Sequence, residues 1–262
     1  MNRVVVITGG TSGIGKQTAK LFKESGDKVF ALGMHPDPLN ELEYFCDVRS
    51  EQDLQNNINN IINEFGHIDI LICSAGYGIS GATELSDSVE TRNLFDVNYF
   101  GVLNTVKVCL PHMQKGSKIV IIGSCCGLFA MPFRTHYCAS KSAVNMLSHG
   151  LRMELSHAGI NVCVINPGDV QTPFVKNRVK NFATNEKYGK KVENAQLIVE
   201  KNNSKRMSVE YCSNKVYKIV NKKKFKASYI IGNKYKFFNF LIKIFPINWF
   251  LKVSNKLFGG KY

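Results

Sequence analysis

Short apolar runs alternate with amphipathic, helix-length segments along most of this chain. The first run covers residues 4–7, and a helical pattern covers residues 14–25 after a glycine-rich turn. Strands without polar interruption are buried on both faces of a sheet, and the helices between them connect parallel strands. The alternation therefore predicts an α/β, doubly wound Rossmann fold, with a parallel sheet of about seven strands and helices on both faces.

The remaining segments follow the same two periodicities. Further strands are predicted at residues 28–32, 44–46, 68–73, 118–122, 161–165 and 228–231. Further helices are predicted at residues 52–65, 89–113 and 136–157. No internal repeat or low-complexity linker divides the chain, so residues 1–262 are predicted to form a single domain.

A glycine-rich array lies between the first predicted strand and the first predicted helix. The segment from Thr8 to Gly15 has the spacing G-x-x-x-G-x-G. Glycine has no Cβ, so backbone amides here can approach a pyrophosphate at the positive N-terminus of a helix. A tight structural turn is the alternative explanation of the glycines alone. The strand before the array and the helix after it favour a dinucleotide site.

Tyr137 and Lys141 lie four residues apart, on one face of a predicted helix. A nearby ammonium group favours the phenolate, so such a tyrosine can exchange protons near neutral pH. The spacing alone is not specific, because Tyr211 and Lys215 repeat it. Two polar residues, Asn98 and Ser124, accompany only the first pair.

Ser124 follows the predicted fifth strand, thirteen residues before Tyr137, and Asn98 lies in the helix before that strand. Both are expected at the carboxyl edge of the sheet, where α/β proteins bind their ligands. Ile198 stands at the corresponding position upstream of Tyr211, so that second pair lacks a serine partner.

Together these residues resemble the classical short-chain dehydrogenase/reductase family, from the first strand to Thr172 and more loosely beyond. The positions that match the cofactor-binding residues of that family are Gly9, Thr11, Ser12, Gly13, Ile14 and Gly15 in the turn, Asp47 and Val48 on the adenine side, Ser74, Ala75 and Gly76 after the fourth strand, Tyr137 and Lys141, and Pro167, Gly168, Val170 and Thr172 in the P-G-x-V-x-T segment. The resemblance implies a nicotinamide cofactor and a catalytic set of Asn98, Ser124, Tyr137 and Lys141.

The resemblance also implies a role for each catalytic residue. Tyr137 would exchange a proton with the substrate oxygen, and Ser124 would hydrogen-bond the same oxygen. Lys141 would bind the nicotinamide ribose and lower the pKa of the tyrosine, and Asn98 would anchor a water that leads protons to Lys141. The expected activity is hydride transfer between NAD(P) and a secondary alcohol or ketone. No metal site is expected, because the eight cysteines include no C-x-x-C pair.

NADP(H) is favoured over NAD(H) as the cofactor. An acidic residue at the end of the second strand would bind the ribose of NAD, and an arginine beside it would accept the phosphate of NADP, but Gly33 and Met34 occupy these positions. Without the acid nothing repels the 2′-phosphate, and Thr11, Ser12 or His35 can hydrogen-bond it. The connection after Gly33 is also too short for the helix that this family usually has between its second and third strands.

The substrate is expected to be hydrophobic. Residues 123–128 and 132–141 resemble the hydroxysteroid and retinol dehydrogenase-like branch of the family, which implies a hydroxysteroid or other lipid. Ser124, Leu128 and Phe133 are the predicted substrate contacts, with Phe129 and Met131 as further candidates, although apolar residues of this kind are as often ordinary core. Two alternatives are a 3-oxoacyl-thioester reductase acting on acyl carrier protein, and a non-catalytic dinucleotide-binding protein that attaches to membrane surfaces.

The net charge of +14 belongs to one part of the chain. Residues 1–173 hold 13 Lys and Arg against 16 Asp and Glu (net −3), whereas residues 174–262 hold 21 against 4 (net +17). No nucleic-acid recognition motif accompanies this charge, so no nucleic-acid partner is expected. Residues 174–200 follow the P-G turn where the family carries its substrate lid, and their poor helical spacing suits a mobile segment.

Residues 235–262 are predicted to form a basic amphipathic C-terminal extension of two segments, broken at Pro246. The longest uncharged stretch, residues 244–251, is far too short to span a bilayer. Two interpretations stay open for this tail: it docks on anionic lipid, or it closes the substrate pocket. The cysteines and the absence of a signal peptide predict a cytoplasmic protein, with peripheral membrane contact through the tail as the alternative. A homodimer or homotetramer is implied by the family resemblance.

Overall fold

The computed structural model describes residues 2–176, 178–201 and 206–259. Its strands are β1 (Val4–Thr8), β2 (Lys28–Gly33), β3 (Glu43–Phe45), β4 (Ile68–Cys73), β5 (Ile79–Ser80), β6 (Met113–Ile122), β7 (Asn161–Pro167), β8 (Val179–Lys180) and β9 (Ser228–Ile231). Seven of them form one parallel sheet in the order β3-β2-β1-β4-β6-β7-β9, and β5 pairs with β8 separately. The predicted doubly wound sheet is confirmed, and its strand order reverses between β1 and β4.

The helices cover both faces of this sheet, as predicted. They are α1 (Gly13–Glu24), α2 (Glu51–Phe65), α3 (Ser88–Phe95), α4 (Gly101–Cys109), α5 (Thr135–Glu154), α6 (Pro173–Lys176), α7 (Lys191–Lys201), α8 (Val209–Val220), α9 (Asn233–Ile244) and α10 (Ile247–Phe258). Leu54 of α2, Val106 of α4 and Val144 of α5 are buried on one face. Phe22 of α1 and Val216 of α8 are buried on the other.

The predicted helix at residues 89–113 and the strand after it differ in detail from the structure. A π-helical turn at Asp96–Phe100 separates α3 from α4, and a 3-10 turn at Leu110–His112 follows. β6 begins at Met113 rather than at residue 118, because Met113 pairs with Ile68 before the register shifts. The residues from 114 to 117 carry no apolar pattern, so this early pairing left no signal in the sequence.

Two connections are informative for the site. Residues 34–42, all of them described, contain no helix, as the short connection predicted. The predicted lid at residues 174–200 contains β8 and, despite its poor helical spacing, the start of α7. Val192 and Ala195 of α7 are buried, which shows that a short inner face is enough to hold this helix against the body.

The chain ends in the predicted helical extension. Pro246 lies between α9 and α10 and caps the second helix. The ring of Phe129 lies 6.1 Å from that of Phe238 in α9 and 5.8 Å from that of Phe250 in α10, and the Ser254 hydroxyl donates to the Ala130 carbonyl at 2.9 Å. The tail is therefore packed against the body. Within the described ranges, no helix has the length and hydropathy that crossing a bilayer requires.

Candidate active site

A cavity of about 240 Å³ opens at the carboxyl edge of the sheet, beside the ends of β1, β4, β6 and β7. The fold brings most of the predicted site residues to this one place. Those that line the cavity are Gly9, Ser12, Gly13, Ile14, Ser74, Ala75, Gly76, Ser124, Tyr137, Lys141, Pro167, Gly168, Val170 and Thr172. Concave sites at this edge are where open α/β sheets bind ligands.

The glycine-rich turn leaves the N-terminus of α1 open toward the cavity. Ser12 precedes the helix in an extended conformation, and its side chain makes no capping hydrogen bond. A Cβ at Gly15 would clash with the Gly9 carbonyl, and Gly13 has a φ of +51°. The turn can thus adopt its tight path only with glycine, and the first amides of α1 face the space where a pyrophosphate fits.

Four predicted cofactor residues lie outside the cavity lining. Thr11 packs against Gly33, and Gly15 lies under the turn. Asp47 accepts hydrogen bonds from the Arg49 guanidinium, the closest at 2.6 Å, and these bonds lower the pKa of the Asp47 carboxyl. Val48 is buried and contacts the position of Gly101. Adenine contact by Asp47 and Val48 stays a prediction.

Asn98 lies in the π-helical turn and is fully buried. Its Oδ1 accepts from the Tyr77 amide at 3.0 Å, while its Nδ2 donates to the Tyr77 carbonyl at 3.0 Å and to Ser140 Oγ at 3.1 Å. The side chain therefore ties the loop after β4 to α5. Both amide hydrogens are used, so an Oδ1 lone pair is its remaining hydrogen-bonding capacity.

Lys141 is buried in α5, with 4% of its surface exposed. Its Nζ donates to the Ile122 carbonyl at 3.1 Å, and burial lowers the pKa of the ammonium to about 8. A Cβ at Gly76 would lie 3.4 Å from Lys141 Nζ and 2.8 Å from Asn98 Oδ1. The two polar groups therefore border the same small space above Gly76.

Tyr137 is buried next to Ser124. Burial and the neighbouring Cys126 thiolate raise the pKa of the phenol above its ordinary value, and a hydrogen bond with Ser124 and the positive charge of Arg178 offset only part of this rise. Ser124 is itself fixed, since its Oγ accepts from the Cys126 amide at 3.1 Å and its amide donates to Asn166 Oδ1 at 2.9 Å. The phenol and the hydroxyl thus lie together in the wall of the cavity.

The predicted substrate contacts divide into two groups. Phe129 and Met131 line the cavity, as does Ser124. Leu128 packs in the apolar cluster under the C-terminal tail, and Phe133 lies against Tyr188, with ring centres 6.2 Å apart, and lines two other cavities. Neither Leu128 nor Phe133 lines the cavity that holds Tyr137. Their contact with substrate stays a prediction.

The cavity has further residues that the sequence did not single out. They are the aromatic residues Phe174, Tyr235 and Phe258, the arginines Arg134, Arg178 and Arg206, and Asp169. The ring of Phe174, from the predicted lid, lies 5.7 Å from the ring of Tyr137. These side chains come from distant segments of the chain, so only the folded structure brings them together.

The second tyrosine–lysine pair is placed quite differently. Tyr211 lies on α8 with 46% of its surface exposed, and Lys215 Nζ lies 5.4 Å from the centre of its ring. Neither residue lines the cavity. The four-residue spacing of a tyrosine and a lysine therefore indicates a catalytic pair only where both residues lie at the carboxyl edge of the sheet.

Known proteins resemble this chain over most of its length. The profile of the family described as short chain dehydrogenase matches residues 3–182. A probable short-chain type dehydrogenase/reductase, VdlC, from Helicobacter pylori is 33% identical over 256 residues, or 94% of each chain. A 3-ketodihydrosphingosine reductase from Bacteroides thetaiotaomicron is 36% identical over 205 residues, or 76% of each chain.

Solved structures show the same fold. A short-chain dehydrogenase from Streptomyces avermitilis superposes with a TM-score of 0.81 at 22% identity, covering 98% of this chain and 95% of that one.

Proposed function

Because this chain belongs to the classical short-chain dehydrogenase/reductase family and is an oxidoreductase of that family, we propose that it interconverts a ketone and a secondary alcohol on a hydrophobic molecule such as a hydroxysteroid or other lipid. One observation carries the proposal: Ser124 and Tyr137 meet in a cavity of about 240 Å³. Phe129, Met131 and Phe174 supply apolar walls of that cavity, which suits a hydrophobic substrate.

Tyr137 and Ser124 act on the substrate oxygen. In the reductive direction the bound nicotinamide supplies a hydride to the carbonyl carbon. Tyr137 gives its phenolic proton to the carbonyl oxygen, and Ser124 donates a hydrogen bond that orients this oxygen. The Ser124 hydroxyl is held by the Cys126 amide, which positions it before substrate arrives.

Lys141 and Asn98 support the proton transfer. The Lys141 ammonium would hold the ribose hydroxyls of the cofactor, and its charge would favour the phenolate of Tyr137 after proton transfer. Asn98 Oδ1 and Lys141 Nζ border the space above Gly76, where a water held between them can return a proton. A Cβ at Gly76 would intrude on that space.

The residues present fit a dinucleotide, with NADP(H) favoured over NAD(H). The open amides at the start of α1 suit the pyrophosphate. At the end of β2, Gly33 and Met34 supply no carboxylate that would repel a 2′-phosphate. Lys16 is not the phosphate partner, because its Nζ pairs with Glu43 at 2.8 Å. Ser12 and the exposed His35 remain the candidate donors.

Residues 174–200 are assigned the role of a lid over the substrate. Phe174 lines the cavity beside Tyr137, and β8 fixes the segment to β5 by pairing Val179 with Ile79. A lid held at this point closes the site against water from one side.

We further propose a homodimer or homotetramer in a reducing, cytoplasmic compartment. All eight cysteines are unpaired. Met146 and Met153 of α5 are more than two-thirds exposed, at 72% and 73%, which leaves an apolar helix face for a second subunit. Light scattering on the purified protein would measure the subunit count.

The test is a turnover assay with a matched control. Purified protein is mixed with NADPH or NADH and a panel of steroid ketones, long-chain ketones and a 3-oxoacyl thioester, and absorbance at 340 nm is followed. Tyr137→Phe is expected to lose at least about 100-fold in kcat/KM, while Tyr211→Phe, with the same spacing to a lysine, keeps full activity. Full activity in Tyr137→Phe would overturn the assignment. Preference for the thioester would select the 3-oxoacyl-thioester alternative.

A further inference from the structure

Two arginines, Arg134 and Arg178, line the cavity. Arg134 is buried, with 6% of its surface exposed, and lies three residues before Tyr137. Arg178 is partly buried and lines the same cavity. Among the residues that the structure describes, no carboxylate forms an ion pair with either guanidinium. Asp169 is the acid that lines the cavity, and its carboxylate accepts a hydrogen bond from the Tyr235 hydroxyl.

The positive charges of the arginines repel one another. Burial, together with the positive charges of Arg134 and Arg206, lowers the pKa of Arg178 to about 10. Like charges that converge in a partly dry site raise the free energy of the empty protein unless an anion neutralises them. Guanidinium groups bind carboxylate and phosphate oxygens in pairs of parallel hydrogen bonds. The cluster therefore has the chemistry of an anion site.

A small second cavity lies between the two arginines. It has a volume of about 20 Å³, which is room for about one water-sized group. Arg134 and Arg178 line both this cavity and the larger one. Ser80 Oγ and Gln196 Oε1 are buried at its wall without a hydrogen-bond partner. Ser80 supplies a free donor for an oxygen atom, and Gln196 an acceptor for a protonated one.

The anion site lies close to the reacting centre. The Phe174 ring is 5.7 Å from that of Tyr137. A Cβ at Gly78 would lie 3.1 Å from Phe174 Cζ and 3.5 Å from Arg178 Nε, so the guanidinium lies just beyond the phenylalanine. The β5–β8 pairing of Ser80 with Lys180 fixes this edge.

We propose that Arg134, Arg178 and Ser80 bind an anionic oxygen group, a carboxylate or a phosphate, carried by the same substrate whose carbonyl lies at Tyr137. The inference rests on the proposed function and narrows it: the substrate is an acidic ketone or alcohol with an apolar part, rather than a neutral or cationic lipid.

The test compares ketones that share one carbonyl and one alkyl chain but end in a carboxylate, a phosphate or a neutral ester. With NADPH, the anionic ketones are expected to exceed the ester at least about tenfold in kcat/KM, which corresponds to about one charge-assisted hydrogen bond. Arg178→Met is expected to remove this advantage without raising the KM of NADPH. Arg92→Met, on the exposed surface of α3, is the matched control and changes neither value.

A binding experiment without turnover separates the two proposals. Calorimetry with decyl phosphate and decanol is expected to show tight binding of the phosphate to the wild type and at least about tenfold weaker binding to Arg178→Met. Equal binding of both ligands would overturn the anion site, and so would a rise in the KM of NADPH in Arg178→Met. If the neutral ester is reduced with the same kcat/KM as the anionic ketones, the proposed function is supported and the anion site is overturned.

A second, independent observation concerns the outer face of the C-terminal helices. Phe237 and Phe240 of α9 are 58% and 57% exposed, and Ile244 and Ile247 at the turn between the helices are 58% and 59% exposed. Trp249 of α10 is 41% exposed and stacks on Phe245, with ring centres 4.5 Å apart. An apolar surface of this extent is uncommon on a monomer without an interaction partner.

The positive charge of this face favours an anionic partner. Lysines accompany the apolar residues on both helices, at positions 234, 236, 243, 252 and 256, and residues 211–262 contain no Asp or Glu. A second copy of the same face would therefore bring lysines against lysines without an acidic partner. An anionic lipid surface supplies both the apolar medium and the opposite charge.

We infer that this outer face, formed by Phe237, Phe240, Ile244, Ile247 and Trp249, docks on the surface of an anionic bilayer. Sedimentation with vesicles is expected to show binding when about one-third of the lipid is phosphatidylglycerol, and at least about fivefold less binding to phosphatidylcholine alone. A triple variant, Phe240→Ser, Ile244→Ser and Ile247→Ser, is expected to lose the binding. Leu39→Ser, at a loop residue that is 94% exposed, is the control and keeps it.

Two outcomes would overturn the docking surface. One is a wild-type protein that stays in the supernatant with both kinds of vesicle. The other is a triple variant that keeps its vesicle binding but dissociates into smaller species on light scattering, which would make this face a subunit interface.

Discussion

The ammonium of Lys141 donates a hydrogen bond to the backbone carbonyl of Ile122 over 3.1 Å. This bond ties α5 to the end of β6, two residues before Ser124. It places the buried charge beside the strand end that carries the serine. Because a single carbonyl only partly replaces the water that burial removes, the pKa of the ammonium falls to about 8.

Cofactor affinity is expected to fall as the pH rises through about 8. Below this pH Lys141 is charged and can bind the ribose hydroxyls, and above it the amine is neutral. Fluorescence titration with NADPH between pH 7 and about 9.5 should show this loss in the wild type. Lys141→Met should bind NADPH weakly with no such pH dependence. The same inflection in the methionine variant would assign it to another group.

The stability of the cofactor-free protein is expected to change with pH in the opposite direction. The native pKa of Lys141 lies below the ordinary value of 10.5, so between about 8 and 10.5 the unfolded chain binds more protons than the native one. This group therefore makes the native state more stable as the pH rises through that range. Urea unfolding at several pH values should show a smaller rise in Lys141→Met than in the wild type, and an equal rise would contradict the assignment.

Asn98→Ala is expected to destabilise the fold as well as to impair catalysis. The truncation leaves the amide and the carbonyl of Tyr77 without their partners in a buried place, at about 1–3 kcal/mol each. Urea unfolding should show a loss of about 2–6 kcal/mol. Asn104→Ala removes a single bond of 3.4 Å to the Val48 carbonyl and should cost less than about 1 kcal/mol. Equal losses would mean that the Asn98 bonds contribute little.

The parts of the fold that could be predicted have a local cause. The runs at residues 4–7, 68–73 and 161–165 are apolar at nearly every position because both faces of each strand are covered. The glycines of the turn are required by the backbone path itself, so they leave a sequence signal. The same holds for Pro246, which separates the two C-terminal helices.

The parts that could not be predicted depend on distant contacts. The early start of β6 is set by the pairing of Met113 with Ile68, and no periodicity marks it. Arg134, Arg178 and Arg206 come from three segments far apart in the chain and meet only at the cavity. A single arginine in a sequence is most often a surface residue. The positive charge of the cavity could therefore not be predicted from the sequence.

Met34→Asp is expected to shift the cofactor preference toward NADH. Met34 follows β2 and is 43% exposed, so an aspartate there meets little steric hindrance and repels the 2′-phosphate. Gly33 is less suitable, because a Cβ there would clash with Thr11. The ratio of kcat/KM for NADPH to that for NADH should fall at least about tenfold. Met34→Asn, similar in size to the aspartate but neutral, should change the ratio far less, and an equal shift would rule out the electrostatic cause.

Gly168 and Tyr235 are expected to be energetically coupled. A Cβ at Gly168 would overlap the ring of Tyr235, at the beginning of α9, so Gly168→Ala must displace the ring and should cost about 1–3 kcal/mol. In a Tyr235→Ala background the same substitution should cost little, which gives a coupling above about 1 kcal/mol in a double-mutant cycle. Gly150→Ala, in α5 with no atom of a neighbour nearer than 3.9 Å, is the control and should be neutral or stabilising. Additive losses would show that the tail does not rest on the Pro167–Gly168 turn, and the packing of α9 over the cavity would then need another anchor.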